Sequence, residues 1–392
     1  MRDRHKSYKG PMKCKSITQS FSFRFFAMQR KILFLLAQVS HIQSRMFSEK
    51  KSKLKTEMCR LFVVFILVFE TFYSCKEEAG DPNPYADILS STPLSKIENY
   101  VGLESQDWDS RIFNLDKVAL EYVKELNRVD GFTESPSPLK DLQPFKTTLL
   151  NALNSQSGPL VSLLKSKLFR IYFCEDLGGS AVTGIVRKDG DPIGGFVILD
   201  ANTLNRNAND WISYKENSSF QKGNVKIRIR IEEEKQNTKS NALRYILLHE
   251  FGHILSETEK IGPSFFSHKR SFANFEFYKG IWRSEKVSYL DDSVFTFRPQ
   301  IRFYSESLSL EENWEKIYPV LSKTPFPTLY SATNADDFFA DSFVSYVHVI
   351  LEKKPWALEI LKNNKTIFKM ENGIEKDSLS TQRKIIEKII FP

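Results

Sequence analysis

The stretch from Val225 to Leu255 decides how this chain reads. It opens with Val225-Lys-Ile-Arg-Ile-Arg-Ile231, passes through the polar run Glu232 to Thr238, and closes with Ile246-Leu-Leu-His249-Glu250-Phe-Gly252-His253-Ile-Leu255. The first part alternates strictly, so it predicts a strand with one apolar and one basic face. The last part predicts a helix from about Ser240, with Ser240 or Thr238 available to cap it. His249 and His253 stand four residues apart and share one helix face, about one turn from each other. Both imidazoles can therefore reach a single zinc ion at ~2.0–2.1 Å. Two histidines on an otherwise apolar stripe need hydrogen-bond partners or a metal, because unpaired buried polar groups are costly. Gly252 leaves room beside them for a metal or for close packing.

Working outward, residues 96–167 read as a helical front. Lys117 to Leu126 places Ala119, Tyr122, Val123 and Leu126 at helix spacing, and Phe145–Leu153 and Leu160–Leu168 behave alike. Leu168–Cys174, Ala181–Arg187 and Gly194–Asp200 read as strands separated by Gly, Asp and Asn turns. A long mixed stretch follows the histidine helix, and helices are expected from there to the C-terminus. The order predicts an α+β domain with a small mixed sheet and a helical C-terminal part.

Composition narrows the function. The chain has 392 residues and only 4 cysteines, which excludes a disulfide-dense scaffold. Its net charge of +8 is misleading. Residues 1–74 hold 15 basic and 4 acidic residues, leaving 41 basic and 44 acidic in the body. A body at −3 offers no general field for a polyanion, so no nucleic-acid partner is expected.

The His249-Glu250-Phe-Gly-His253 run resembles the active-site helix of the HExxH zinc peptidases. The resemblance implies that Glu250 takes the proton of a zinc-activated water. Such a site needs a third protein ligand. The elongated metzincin pattern fails, because Ser256 and Glu259 stand where a glycine and a third histidine belong. Glu257 and Glu259 read as solvated charges. Farther on, Tyr330-Ser-Ala-Thr-Asn334-Ala-Asp336-Asp337-Phe-Phe-Ala-Asp341-Ser-Phe343 resembles the second helix of the gluzincin type. It looks closest to the branch of the anthrax lethal factor catalytic domain and of zinc-binding lipoprotein peptidases. That likeness implies a zincin-like fold, Asp337 as third ligand, and Tyr330, seven residues earlier, assisting the reaction. Asp replaces the usual Glu, so the helix must approach the metal by roughly 1 Å more. Asp336 is the alternative ligand, and Asp341 is expected to support a histidine. The 83 residues between His253 and Asp337 read as an insertion whose aromatic runs, Phe265–Phe277 and Phe295–Tyr304, wall a cleft. The strand Val225–Ile231 is expected to pair with extended substrate.

At the N-terminus, lysines 50, 51, 53 and 55 with Arg60 precede nine apolar residues, Leu61 to Phe69, and then Ser74-Cys75. This is an export-signal layout, too short to span a bilayer of ~30 Å. Its end resembles a relaxed bacterial lipobox, which implies lipidation of Cys75 and a membrane anchor. Residues 1–45 then read as an over-extended start. The expected organisation is a leader over 1–74, a lipidated cysteine and flexible tether over 75–95, and a zincin-like domain over 96–392. That domain divides into the helical front 96–167, the sheet and active-site helix 168–256, and the insertion and C-terminal helices 257–392. Together these readings predict an exported, lipid-anchored zinc endopeptidase acting on protein or peptide at the periplasmic or cell-surface side. The alternatives are a binding or adhesion lipoprotein with a degenerate site, and a zinc hydrolase of non-peptide amides. Cys174 and His348 are expected to be packed, and His268 exposed.

Overall fold

The computed structural model describes residues 81–392, apart from residues 101, 103–106, 157 and 203–204. The leader, the export signal and Cys75 lie outside the described residues. The elements run β1 (Asp81–Pro82), α1 (Ala86–Ser91), β2 (Ile112–Asn114), α2 (Lys117–Asp130), α3 (Gln143–Asn154), α4 (Pro159–Lys167), β3 (Leu168–Cys174), β4 (Ala181–Lys188), β5 (Asp191–Asp200) and α5 (Ala208–Asn217). They continue with β6 (Val225–Arg230), α6 (Lys239–Thr258), β7 (Lys269–Arg270), α7 (Leu310–Leu321), α8 (Ala335–Ser345), a π-helical turn (Tyr346–Leu351), β8 (Ala357–Lys362), β9 (Lys365–Glu371) and α9 (Ser380–Ile390). The architecture is α+β.

The main sheet has the order β2-β3-β5-β4, with β4 alone antiparallel and at an edge. One face presents Cys174, Val186, Phe196 and Ile198 to Tyr122, Val123 and Leu126 of α2. The other face carries Ile171, Phe173, Val197 and Leu199 in the same core as the apolar residues of α6. Helix α6 starts at Thr238, whose side chain accepts from the Asn241 amide at 3.2 Å. It is apolar on nearly every side because sheet and helices enclose it. A Cβ on Gly195 of β5 would lie 2.7 Å from Ile254, so this glycine lets the helix lie against the sheet.

Helix α8 lies on the other side of α6. A Cβ added to Gly252 would meet the Ala340 Cα at 2.7 Å, a backbone atom that cannot step aside. Gly252→Val should therefore cost about 2 kcal/mol or more, overpacking outweighing the few tenths gained in helix propensity. Urea denaturation reads this directly, and unchanged stability would mean that the two helices separate freely.

The C-terminal part is not purely helical. β8 and β9 form a hairpin, and β8 pairs antiparallel with β6, giving a second sheet ordered β6-β8-β9. The two-residue loop Asn363-Asn364 has φ of 50° and 61°, the conformation that favours Asn in tight hairpins. β6 thus belongs to a different sheet from β3–β5. Its other edge is filled by one face of α5. Ser213 and Asn217 each hydrogen-bond both ways with the backbone of Ile229 and Ile227, and Asn209 Oδ1 accepts from the Ile231 amide at 2.7 Å. The expected pairing of substrate with this strand is overturned, because its backbone groups are already satisfied.

The flexible tether also fails from residue 81 onward. β1 pairs with β7, and the Asn83 amide donates to the carbonyls of Phe265 and Ser267 at 2.7 and 3.0 Å. Ala86 and Leu94 are buried. Pro93 sits in the first turn of a 3₁₀ helix capped by Thr92. Proline here pre-sets the backbone rather than loosening it. Glu257 is likewise buried, not solvated: its carboxylate accepts from Ser264 Oγ at 2.6 Å and the Phe265 amide at 2.9 Å. Glu259 is exposed, as expected, and pairs with Lys167 at 2.8 Å.

Candidate metal centre

Helices α6 and α8 bring His249, His253 and Asp337 together. Asp337 Oδ1 lies 3.4 Å from His249 Nε2 and 3.5 Å from His253 Nε2. These distances are long for N–H···O hydrogen bonds, whose mode is ~2.9–3.0 Å. They match two ligands of one tetrahedral zinc, which at ~2.1 Å from the metal stand ~3.4 Å apart. Two imidazole nitrogens and one carboxylate oxygen form a donor set that suits zinc and leaves a fourth position open. The shorter Asp is accommodated by the close crossing of α6 and α8 at Gly252 and Ala340.

Two of the three residues, His249 and Asp337, are held from behind. His249 Nδ1 lies 3.1 Å from Asp341 Oδ1, and Thr328 Oγ1 donates to the same carboxylate. A carboxylate on Nδ1 turns Nε2 toward the metal position. Asp337 Oδ2 accepts from Asn334 Nδ2 at 2.6 Å and Thr333 Oγ1 at 3.1 Å, leaving Oδ1 to the histidines. Asn334 also caps α8 by accepting from the Asp337 amide at 2.8 Å. Asp336 does not join the cluster. Arg270, buried, grips both of its oxygens at 2.6 and 2.7 Å, so the alternative ligand is committed elsewhere.

Charge follows this geometry. Burial pulls the His249 imidazole down, but the facing Asp337 and Asp341 carboxylates outweigh it and raise the group to about 9. Burial pushes Asp337 up, yet both imidazoles hold it well below the usual carboxylate range. A cation bound here would take the place of the histidine proton, so its affinity would fall as pH falls.

Glu250 projects from the same helix, and its Oε2 accepts from Thr183 Oγ1 of β4 at 2.6 Å. The Tyr330 ring packs 5.4 Å from the His249 ring and 4.8 Å from Phe303. Burial and the Asp337 carboxylate push its phenol well above the ordinary range, so it keeps its proton and can donate. These groups open into a cleft of about 320 Å³ that runs along β4, with Ala181, Val182, Thr183 and Ile185 on its wall. Phe265 lines this cleft, and Tyr304 lines a pocket that shares residues with it, in agreement with the expected aromatic wall. Tyr85 and Leu89, assigned by sequence to the tether, line the cleft as well.

Thr183, Thr328, Arg270 and Tyr85 are site residues that sequence reasoning missed. None carries a local signal; each arrives from a distant segment. The remaining candidates fall where expected. His268 is 75% exposed. His348 is buried, with Nε2 at 2.7 Å from the Ile231 carbonyl, and burial pushes it down to about 3. Cys174 is buried and its thiol is pushed up to about 12 by burial, which suits an inert core residue.

Comparison of this chain with protein-family models, with curated proteins and with solved structures finds no match. The geometry of the centre carries the functional argument.

Proposed function

We propose that this chain is a zinc-dependent endopeptidase with a zincin-like catalytic domain. The observation that carries this reading is the pair of Nε2–Oδ1 separations, 3.4 and 3.5 Å, beside Glu250 on the same helix. His249, His253 and Asp337 would hold the metal. Zinc, when bound, supplies Lewis acidity that lowers the pKa of water toward ~7. Glu250 accepts the proton of the attacking water and returns it to the leaving amine. Tyr330 donates a hydrogen bond to the oxyanion that develops on the scissile carbonyl. The edge strand β4, rather than β6, faces the cleft and offers backbone groups to an extended peptide. Thr183 holds the Glu250 carboxylate against that strand. Export and lipidation at Cys75 would anchor the domain outside the cytoplasm.

The binding-lipoprotein alternative drew on the replacement of Glu by Asp in α8. The close crossing of α6 and α8, with Asp337 beside both histidines, supports the peptidase reading over it. The zinc-loaded full chain should cleave a denatured protein, lose the activity to a zinc chelator and regain it on adding zinc. A zinc-loaded chain that cleaves no peptide, but releases amines from cell-wall linkages, would instead favour the non-peptide amidase. One that cleaves neither would return the binding reading.

A further inference from the structure

Beside the metal centre sits a cation that the mechanism above does not use. Lys215 of α5 is 6% exposed. Its carbonyl accepts from Ser218 Oγ at 2.6 Å, but among the described residues its ammonium makes no hydrogen bond and no ion pair. Its Nζ lies 3.3 Å from the centre of the Tyr330 ring and 5.6 Å from that of Trp211. Burial lowers its ammonium below the ordinary range, while Asp341, Asp337, Glu216 and Glu250 act on it through space in the opposite sense without contacting it. Two aromatic faces compensate a buried ammonium only in part, and buried charges are ordinarily paired. The unpaired donor is therefore informative.

The lysine lines a pocket of about 210 Å³ together with Ser180, Trp211, Tyr304 and Phe132. This pocket continues the cleft along β4, sharing Ala181, Val182, His249, Glu250 and Tyr330 with it. Tyr304 Oη and Ser180 Oγ lie 3.3 Å apart on its wall, adding two neutral hydroxyls to the ammonium. Its lining combines the Lys215 ammonium, aromatic rings and hydroxyls with the carboxylates of Asp130 and of Glu250, the general base. An uncharged side chain entering it would leave the ammonium without a partner. A carboxylate would pair with it.

We infer that Lys215 makes this pocket a receptor for a substrate carboxylate, so that the enzyme selects an acidic side chain or a terminal carboxylate next to the bond it cleaves. The inference rests on the hydrolase reading only for the position of that bond. The pairing itself is a charge-assisted hydrogen bond in a desolvated site, which is worth roughly tenfold to a hundredfold in affinity.

The test uses the full chain carrying Glu250→Gln and loaded with zinc, so that binding is read without turnover. Calorimetry compares three short peptides. One is blocked at both ends and contains a single glutamate; the second is its glutamine twin; the third is the twin with a free C-terminal carboxylate. The glutamate peptide or the free-carboxylate peptide should bind at least about tenfold tighter than the blocked twin, and which one does so identifies the source of the carboxylate. Adding Lys215→Met should erase that difference while leaving binding of the blocked twin within a few-fold. Equal binding of all three peptides, or binding of none, overturns the inference, and this comparison stands even if Lys215→Met does not fold. A carboxylate preference that survives Lys215→Met overturns it as well. A Lys215-dependent preference in a chain whose unsubstituted form cleaves nothing would support the carboxylate pocket and sink the hydrolase reading instead.

Discussion

Glu250→Gln should lower kcat/KM by about a thousandfold while leaving the zinc content unchanged. In the proposed reaction the carboxylate moves a proton twice, from water to itself and then to the leaving amine. General acid–base catalysis of this kind contributes ~10²–10⁴-fold. Gln keeps the size of the side chain, and its carbonyl oxygen still accepts from Thr183 Oγ1, which donates to Glu250 at 2.6 Å. The metal ligands are untouched, so folding and metal binding should persist. The pairing of two readouts, rate and metal content, is what makes the result decisive. Retained activity would remove Glu250 from the mechanism. Loss of zinc together with activity would show that the residue holds the site together rather than moving protons.

Asp337→Ala should reduce zinc affinity more than a hundredfold, since loss of a supporting residue alone costs ~10–100-fold and this one contributes a ligand atom. Asp336→Ala should leave zinc affinity within a few-fold and instead destabilise the fold. Its carboxylate is the bidentate partner of Arg270, which is 3% exposed. Removing it leaves the buried guanidinium, among the described residues, with Glu285 at 3.3 Å as its remaining ion-pair partner. Breaking a buried pair in this way costs ~3–5 kcal/mol. Mass spectrometry of the purified chains, competitive zinc titration and urea denaturation separate the two outcomes. Zinc kept by Asp337→Ala and lost by Asp336→Ala would exchange their roles. Equal behaviour of the two variants would dissolve the three-ligand site.

Much of the framework is legible in the chain because it depends on local periodicity. Strict alternation marks β6, and the extents expected for β3, β4 and β5 agree closely with those observed. Helix α2 places Ala119, Tyr122, Val123 and Leu126 in the core as their spacing requires. His249, Glu250 and His253 share a helix, so their relative placement follows from helix geometry alone. The hairpin β8–β9 was also within reach, through the Asn363-Asn364 turn between two short runs. It was masked by the mostly exposed face of β9, which lacks an apolar alternation.

What the tertiary structure decided lies between segments far apart in sequence. Asp336 and Asp337 are adjacent, and residue type alone does not choose between them. The choice follows from the rotation of α8, with Arg270 holding one carboxylate and Asn334 capping the helix beneath the other. Which strand edge is open was equally invisible locally. β6 has the better strand pattern, yet α5 covers it, and β4 is left facing the cleft. Lys215 carries no local signal in the sequence and becomes a buried side chain of the site only when Tyr330, from more than a hundred residues away, closes over it. By itself the sequence determined what each helix and strand presents on its own surface, because backbone geometry sets those neighbours. The packing of one element on another determined the partners, because burial and pairing arise only where distant side chains meet.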